Sequence, residues 1–332
     1  MNILVTGGAG YIGSGCAQLL LEAGHAVTVL DALVTGHRAA VPKEARFIPA
    51  DLSDRETLRK TVREGKFDAV MHFAAFIEAG ESMRDPGKYM QNNVSCSIIL
   101  LEEIQRAGIG KFVFSSTAAV YGIPEGGYAS EDSPTRPINP YGASKLMSEW
   151  MLRDLAAATG LRHVTLRYFN VAGSDPGGSM GHSQPEATLL VKVACQAAVG
   201  VRPGVAVFGT DYPTPDGTGV RDYIHVEDLA DAHLRAVDYL RGGGASATLN
   251  CGYGHGYTVR EVLRMVEQVH GRPLRVTEQP RRAGDPPTLV ARADLVRQVL
   301  GWRPRHDDLE TIVATQLAWE RTLQARPELC RN

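Results

Sequence analysis

Tyr141 and Lys145 stand four residues apart in Pro140-Tyr-Gly-Ala-Ser-Lys145, so a helix would bring a phenol and an ammonium to one face. A neighbouring cation favours the phenolate and brings a tyrosine toward the range of a working general base. Alone, the pair is a short motif whose plain alternative is a surface tyrosine beside a solvated lysine. Other residues give it a setting. Gly7, Gly10 and Gly13 follow the apolar run Asn2-Ile-Leu-Val-Thr6. Such glycines permit a tight turn, let backbone approach a pyrophosphate and bring helix against strand, while the helix N-terminus offers free amides to the phosphates. Asp31 closes the next apolar run, Val27-Thr-Val-Leu30. A carboxylate there accepts from a ribose 2′-hydroxyl and repels a 2′-phosphate, which favours NAD over NADP. A later apolar run, Lys111 to Thr117, ends in the three hydroxyls of Ser115, Ser116 and Thr117.

Strands and helices must alternate to bring these groups together. A strand over 2–6 leads through the glycine turn into a helix that stops at Gly24. Residues 46–52 read as a strand whose end, at Asp51, can border an adenine. Residues 54–64 read as a helix, and 68–75 as a buried strand. His72, inside that strand, is expected to be a packed histidine bonded to backbone. One long amphipathic stretch over about 86–107 carries Asn92 near its start. Elements of this length in this order predict an α/β fold, a Rossmann-type doubly wound parallel sheet with ligands at the carboxyl ends of its strands. Gly13, Asp31, Asp51, Phe73 to Ala75, Ser115 to Thr117 and Tyr141 all fall at or just beyond such ends.

After Asn170 the rhythm breaks into Gly/Pro-rich sequence from Gly173 to Pro185. A helix over 187–200, a strand over 205–208 and a helix running to about Leu240 follow. Gly242 to Gly244 marks an exposed loop. Helices are predicted near 258–270 and 291–300, with a last one over about 307–323. The expected organisation is an NAD-binding domain over 1–170, with 221–250 returning to it, and a smaller mixed α/β substrate lobe from 171–220 and 251–332.

With 332 residues, 44% hydrophobic and 22% charged, the composition is that of a globular protein larger than one average domain. The net charge of −2 gives no reason to expect nucleic acid or an anionic membrane as partner. Five scattered cysteines, never in Cys-x-x-Cys spacing, argue for a reducing compartment, no disulfide framework and no metal site. With no signal peptide and no run of about 18 apolar residues, a cytoplasmic protein is expected.

Gly7-x-x-Gly10-x-x-Gly13, Ser115-Ser-Thr117 and Tyr141-x-x-x-Lys145 together resemble the extended short-chain dehydrogenase/reductase superfamily. The stretches Ser115 to Gly122, Arg167 to Asn170, Phe208 to His225 and Arg281 to Asp285 are similar to the UDP-glucose 4-epimerase family, over nearly the whole chain, with Asp211 to His225 the most specific piece. The resemblance implies NAD-dependent interconversion of UDP-glucose and UDP-galactose through a 4-keto intermediate. Tyr141 is then the base, Lys145 depresses its pKa and binds the nicotinamide ribose, and Thr117 bonds the reacting oxygen. The implied cofactor contacts are Gly7, Gly10, Tyr11, Ile12 and Gly13; Asp31, Ala32, Leu33, Thr35 and Gly36; Asp51 and Leu52; and Phe73, Ala74, Ala75, Asn92, Ser115 and Tyr168, besides Tyr141 and Lys145. The implied substrate contacts are Thr117, Phe169, Asn170, Leu190, Ala206, Phe208 and Tyr223, with Arg221 and Arg282 on the diphosphate, Asp285 on the ribose and Leu289 at the sugar wall.

Ala118 and Ala119 stand where sugar-nucleotide dehydratases of the superfamily carry an acidic pair, so dehydration lacks its proton donor and acceptor. Ile77 replaces a lysine found in some members, Leu189 a position often Asn or His, and Lys192 a common proline. Leu289 is intermediate between the tyrosine that excludes an N-acetyl group and the small residue that admits it. A UDP-GlcNAc or UDP-pentose 4-epimerase is therefore a second reading, and a non-catalytic NAD-sensing module a third. The resemblance also implies a homodimer through a four-helix bundle from the helices near 90–107 and 141–158, with Leu146, Met147, Trp150, Met151 and Leu155 suited to its face.

Overall fold

A computed structural model describes residues 1–178 and 180–330. Seven strands form one sheet: β1 (Asn2–Thr6), β2 (Ala26–Asp31), β3 (Arg46–Pro49), β4 (Ala69–His72), β5 (Lys111–Thr117), β6 (Arg162–Tyr168) and β7 (Ala247–Cys251). All pair parallel, in the spatial order β7-β6-β5-β4-β1-β2-β3. Side chains alternate across the sheet and build two cores. Ile3, Val5, Val27, Val29 and Met71 face one, and Leu4, Leu30, Val70, Phe112 and Phe114 the other. Helices α1 (Tyr11–Glu22), α2 (Arg55–Gly65), α3 (Cys96–Arg106) and α4 (Pro140–Thr159) belong to this layered unit. Further along lie α5 (Leu190–Ala198), α6 (Val226–Arg241), α7 (Val259–His270), α8 (Asp294–Leu300) and α9 (Leu309–Ala325). Helices α1 and α6 pack together on one face of the sheet, with α2, α3 and α4 on the other.

A second sheet of four short strands runs in the order 257–258, 220–221, 288–291, 128–129. Residues 170–172 pair with 223–225, and 205–208 with 276–279. Asp222 stitches these parts together. Fully buried, its carboxylate accepts the amides of Tyr253 at 2.9 Å, Gly254 at 2.9 Å and Ala291 at 3.3 Å. Burial still pushes its pKa up to about 6, the three amides pulling the other way.

Several elements differ from the sequence expectation. The strand expected over 46–52 ends at Pro49, and the one expected over 68–75 ends at His72. The residues beyond leave the ladder because a ligand cleft opens there. The amphipathic stretch over 86–107, with a helix expected near 90–107, divides into helix 86–89, a π-helical turn over 90–95 and α3. The cause lies at buried Asn93. Its carbonyl takes the hydroxyls of Ser97 at 2.6 Å and Ser148 at 3.1 Å, while its side chain brackets the backbone of Phe76. Competing acceptors and donors of this kind widen a helical turn. His72 is buried as expected, but it bonds the hydroxyls of Thr6 at 2.7 Å and Ser97 at 3.0 Å rather than backbone. Strand β4 lies between β1 and β5, so the nearby backbone groups are committed to the ladder.

Lys192 is 1% exposed and donates to Glu320 at 2.7 Å and to the His182 carbonyl at 2.6 Å. Gln316 gives Glu320 a further bond at 2.9 Å. The unusual lysine is thus half of a buried ion pair joining α5 to α9, with a second hydrogen bond to a backbone carbonyl.

Candidate active site

A cleft of 1260 Å3 opens at the carboxyl ends of β1, β2, β4 and β5 and extends toward the second sheet. At its floor the chain turns at Gly7, whose φ of +75° disfavours a side chain. A Cβ on Gly7 would lie 2.5 Å from the Ala74 amide nitrogen, and one on Gly13 would collide with the Gly7 carbonyl oxygen. The turn leads directly into α1, whose first residues, Tyr11 to Gly13, line the cleft. Asp31, 9% exposed, accepts from the Ala9 amide at 2.9 Å and the Leu33 amide at 2.8 Å. Burial raises its pKa, and those two amides oppose the rise. A backbone cradle that only glycine can occupy, beside a pinned carboxylate at the next strand end, fits the diphosphate and a ribose of a dinucleotide.

The second half of the constellation comes from α4. Asn139 caps it, accepting the Gly142 amide at 2.8 Å, and Pro140 sets its first turn. Tyr141 therefore sits at the very start of the helix and Lys145 one turn on, both buried and both facing the cleft. The Thr117 side chain, at the end of β5, lines the same cleft beside Tyr141 and draws its pKa down. Lys145 Nζ donates to the Ser115 carbonyl at 2.9 Å and lies 5.1 Å from the Phe114 ring centroid. Ser115 Oγ bonds the Tyr168 hydroxyl.

One expectation needs correcting. Lys145 does not bring Tyr141 down in this structure. Burial pushes the phenol up to about 12, with the Thr117 side chain opposing it and Glu78 adding to the rise. Burial likewise brings Lys145 down to about 7, against the pull of Glu149. Two buried groups each resist charging, and the lysine spends a proton on a carbonyl.

Most of the residues singled out from the sequence line this one cleft. On the dinucleotide side these are Gly7, Gly10, Tyr11, Ile12, Gly13, Asp31, Ala32, Thr35, Gly36, Asp51 and Leu52. Phe73, Ala74, Ala75, Asn92, Ser115, Thr117, Tyr141, Lys145 and Tyr168 continue the wall, and Phe169, Asn170, Phe208, Arg221, Arg282, Asp285 and Leu289 complete it. Four do not line it. Leu33 has a φ of +55° and packs against the core, its amide serving Asp31. Leu190 packs there too, and its neighbour Leu189 lines the cleft. Tyr223 is 2% exposed inside the core, and Ala206 lies off the lining between two buried valines of its strand.

The structure also brings in residues that sequence reasoning passed over. Glu78 and Thr188 both line the cleft and bond each other, 110 residues apart. His182 stacks on Tyr11 with ring centroids 4.8 Å apart. Nothing in residue type alone marks these as neighbours. Arg282 lies over Phe208, 3.7 Å from the ring centroid, and Arg221 Nη1 donates to the Val220 carbonyl at 2.9 Å. Elsewhere, His225, Glu227 and His306 bring ligand-type atoms within 4.8 Å. There the Glu227 amide donates to His225 Nδ1 at 3.2 Å, and Nε2 faces the Thr315 hydroxyl at 3.1 Å, so the ring is fully engaged.

A dinucleotide cradle, a buried tyrosine–lysine pair and a threonine at adjoining strand ends define an NAD-dependent redox site acting on an alcohol. The chain belongs to the NAD dependent epimerase/dehydratase family, whose model it matches over residues 3–252. It is 56% identical over 323 residues, 97% of this chain and 93% of the relative, to the UDP-glucose 4-epimerase of Azospirillum brasilense. Among solved structures, it superimposes with a TM-score of 0.92 on the UDP-glucose 4-epimerase of Brucella ovis in complex with NAD. The identity is 43%, covering 96% of this chain and 98% of the other. The UDP-Glc/GlcNAc 4-epimerase of Campylobacter jejuni matches with a TM-score of 0.84 at 46% identity, covering 96% and 99%. NAD is accordingly its cofactor.

Proposed function

We propose that Tyr141, Thr117 and Lys145 form the redox centre of a UDP-glucose 4-epimerase, which interconverts UDP-glucose and UDP-galactose. The observation that carries the assignment is the meeting of Tyr141 and Thr117 in one cleft at the carboxyl end of β5, with Lys145 fixed one helical turn behind on the Ser115 carbonyl. The glycine turn, Asp31 and Asp51 are the residues suited to hold NAD. When bound, NAD supplies a reversible hydride acceptor for C4 and, in its oxidised form, a positive charge beside the phenol.

Tyr141 takes the proton of the 4-hydroxyl and later returns one, and Thr117 holds the same oxygen. Burial of the pair removes competing water, so the proton passes between phenol and sugar oxygen. Inversion requires the 4-keto sugar to present its other face. Firm diphosphate anchorage with few fixed hexose contacts serves that turn. Arg221 and Arg282 suit the anchoring role, because a guanidinium fork matches phosphate oxygens. Arg282→Ala is expected to raise KM for UDP-galactose by about 10- to 100-fold, the loss of one charge-assisted contact, with kcat changed little. Steady-state kinetics separate the two, and a fall in kcat at constant KM would remove the anchoring role.

Leu289 lies on the strand over 288–291, 7% exposed, at the cleft wall. A similar enzyme is named for both Glc and GlcNAc substrates, so a UDP-GlcNAc activity is the second reading. Turnover assays on UDP-galactose, UDP-glucose, UDP-GlcNAc and a UDP-pentose side by side test the first. Interconversion of UDP-galactose and UDP-glucose is the expected result, and its absence with turnover of another sugar would sink it.

We further propose the division into an NAD lobe of 1–170 with 221–250 and a UDP-sugar lobe of 171–220 with 251–332. A homodimer through α3 and α4 accords with the exposure of Ile98, Met147 and Trp150 on those helices. Leu146 drops out of that face because it is buried in its own chain's core, and Met151 and Leu155 pack against the second core. Five free cysteines, four of them buried, suit a reducing cytoplasm. Among the described residues no helix is long and apolar enough to cross a membrane.

A further inference from the structure

Behind the redox centre lies a buried polar network that the mechanism above does not use. Tyr141, Lys145 and Glu149 follow one another at intervals of four along α4, so they share a stripe. Glu149 is 8% exposed. Arg167 holds its carboxylate bidentately, with Nη2 at 2.6 Å from Oε2 and Nε at 3.0 Å from Oε1. Ser116 Oγ donates to the same carboxylate. Ser116 and Arg167 are cross-strand partners of β5 and β6. The carboxylate therefore sits on one cross-strand pair at the place where the flanking β5 residues meet the redox site: the Ser115 carbonyl receives Lys145, and Thr117 lines the cleft with Tyr141. Arg167 is satisfied in turn by the Tyr121 hydroxyl at 3.0 Å, which donates to Asn250 at 2.7 Å.

We propose that Glu149 is a positioning residue of the redox site: its carboxylate, clamped by Ser116 and Arg167, holds α4 against β5 and β6 in register behind Tyr141 and sets a negative charge one helical turn from Lys145. The proposal rests on the epimerase reading of the site. The charged and titratable groups around Lys145 are few. Tyr141 and Glu149 face it from α4, His72 from β4, and Arg167 and Tyr168 stand on β6, while β5 offers only a carbonyl and hydroxyls. His72 is held neutral, down to about 3, by burial and by Lys145 itself, and burial raises Tyr168 far above its ordinary range. Glu149 is thus the negative charge that supports the ammonium against burial. The sign follows directly: burial lowers the Lys145 pKa and Glu149 raises it, so neutralising Glu149 makes the lysine lose its proton at lower pH.

The test is the pH dependence of kcat for UDP-galactose in the NAD-loaded enzyme. Glu149→Gln keeps the shape and removes the charge. Its alkaline limb is expected to move down by about one pH unit or more, so the loss is ~10-fold greater near pH 9 than near pH 6. Glu149→Asp should restore most of the profile. Ser116→Ala, which keeps the charge, should leave the limb in place. Because Gln leaves the buried Arg167 charge without its counter-charge, the double variant Glu149→Gln, Arg167→Met decides the case in which the single variant fails to fold. If the double variant folds and its profile superimposes on that of the parent, Glu149 is a packing residue and the proposal is overturned; a persisting downward shift supports it. Turnover retained in Tyr141→Phe would instead overturn the epimerase site itself, an outcome independent of where the alkaline limb lies.

Discussion

Tyr141→Phe is expected to lower kcat for UDP-galactose by about 10³-fold or more while leaving NAD bound. The substitution removes one oxygen, the atom that moves the substrate proton, and general acid–base catalysis by a positioned side chain contributes roughly 10²- to 10⁴-fold. The ring itself should stay in place. It is 9% exposed, lies edge-on to Tyr89 with centroids 6.4 Å apart, and starts a helix whose cap and proline do not involve the hydroxyl. The phenol is a poor base as found, pushed up to about 12 by burial, so its activation depends on a full site. Measuring kcat together with NAD retained after gel filtration checks the prediction. Substantial residual turnover with full cofactor occupancy would remove Tyr141 as the base.

The second large effect is expected from Gly7→Ala. An L-residue at φ +75° costs ~1–2 kcal/mol. The new methyl would in addition lie 2.5 Å from the Ala74 amide nitrogen, a backbone atom that no rotamer change can move. The end of β4 would have to shift, and with it Phe73, Ala74 and Ala75 along the cleft wall. A total destabilisation of about 3 kcal/mol is expected, since strain at a special backbone conformation adds to the clash. NAD affinity should fall by ~10-fold or more, because the amides of the turn no longer converge on one point. Thermal unfolding and titration with NAD check the two halves separately. Unchanged affinity in a destabilised protein would mean that the turn matters for folding alone.

The site's chemistry was legible in the residues because it rests on local geometry. Gly7, Gly10 and Gly13 announce a strand–turn–helix, Asp31 marks the next strand end, and four residues between Tyr141 and Lys145 define one helix face. The alternation of strand and helix also implied the parallel sheet, since each crossover delivers its strand end to the same edge. Elements failed to be legible where they were short or lacked a period. The strands over 128–129, 220–221, 257–258 and 288–291 exist only because each finds partners far along the chain. The π-helical turn at 90–95 depends on Ser148 reaching Asn93 from α4, 55 residues away.

The sequence by itself determined the chemistry to look for: a dinucleotide cradle selective for NAD, and a base with its lysine. These follow from residue type and near spacing, which the backbone's own periodicity converts into shared faces. The tertiary structure alone decided how those groups are charged and what surrounds them. Burial, which no local pattern reports, sets Tyr141 high and Lys145 low, turns Tyr223 and Leu190 inward, and brings Glu149, Ser116 and Arg167 together behind the tyrosine. Electrostatics in a low-dielectric interior depends on distances between distant segments, and only the folded chain specifies those.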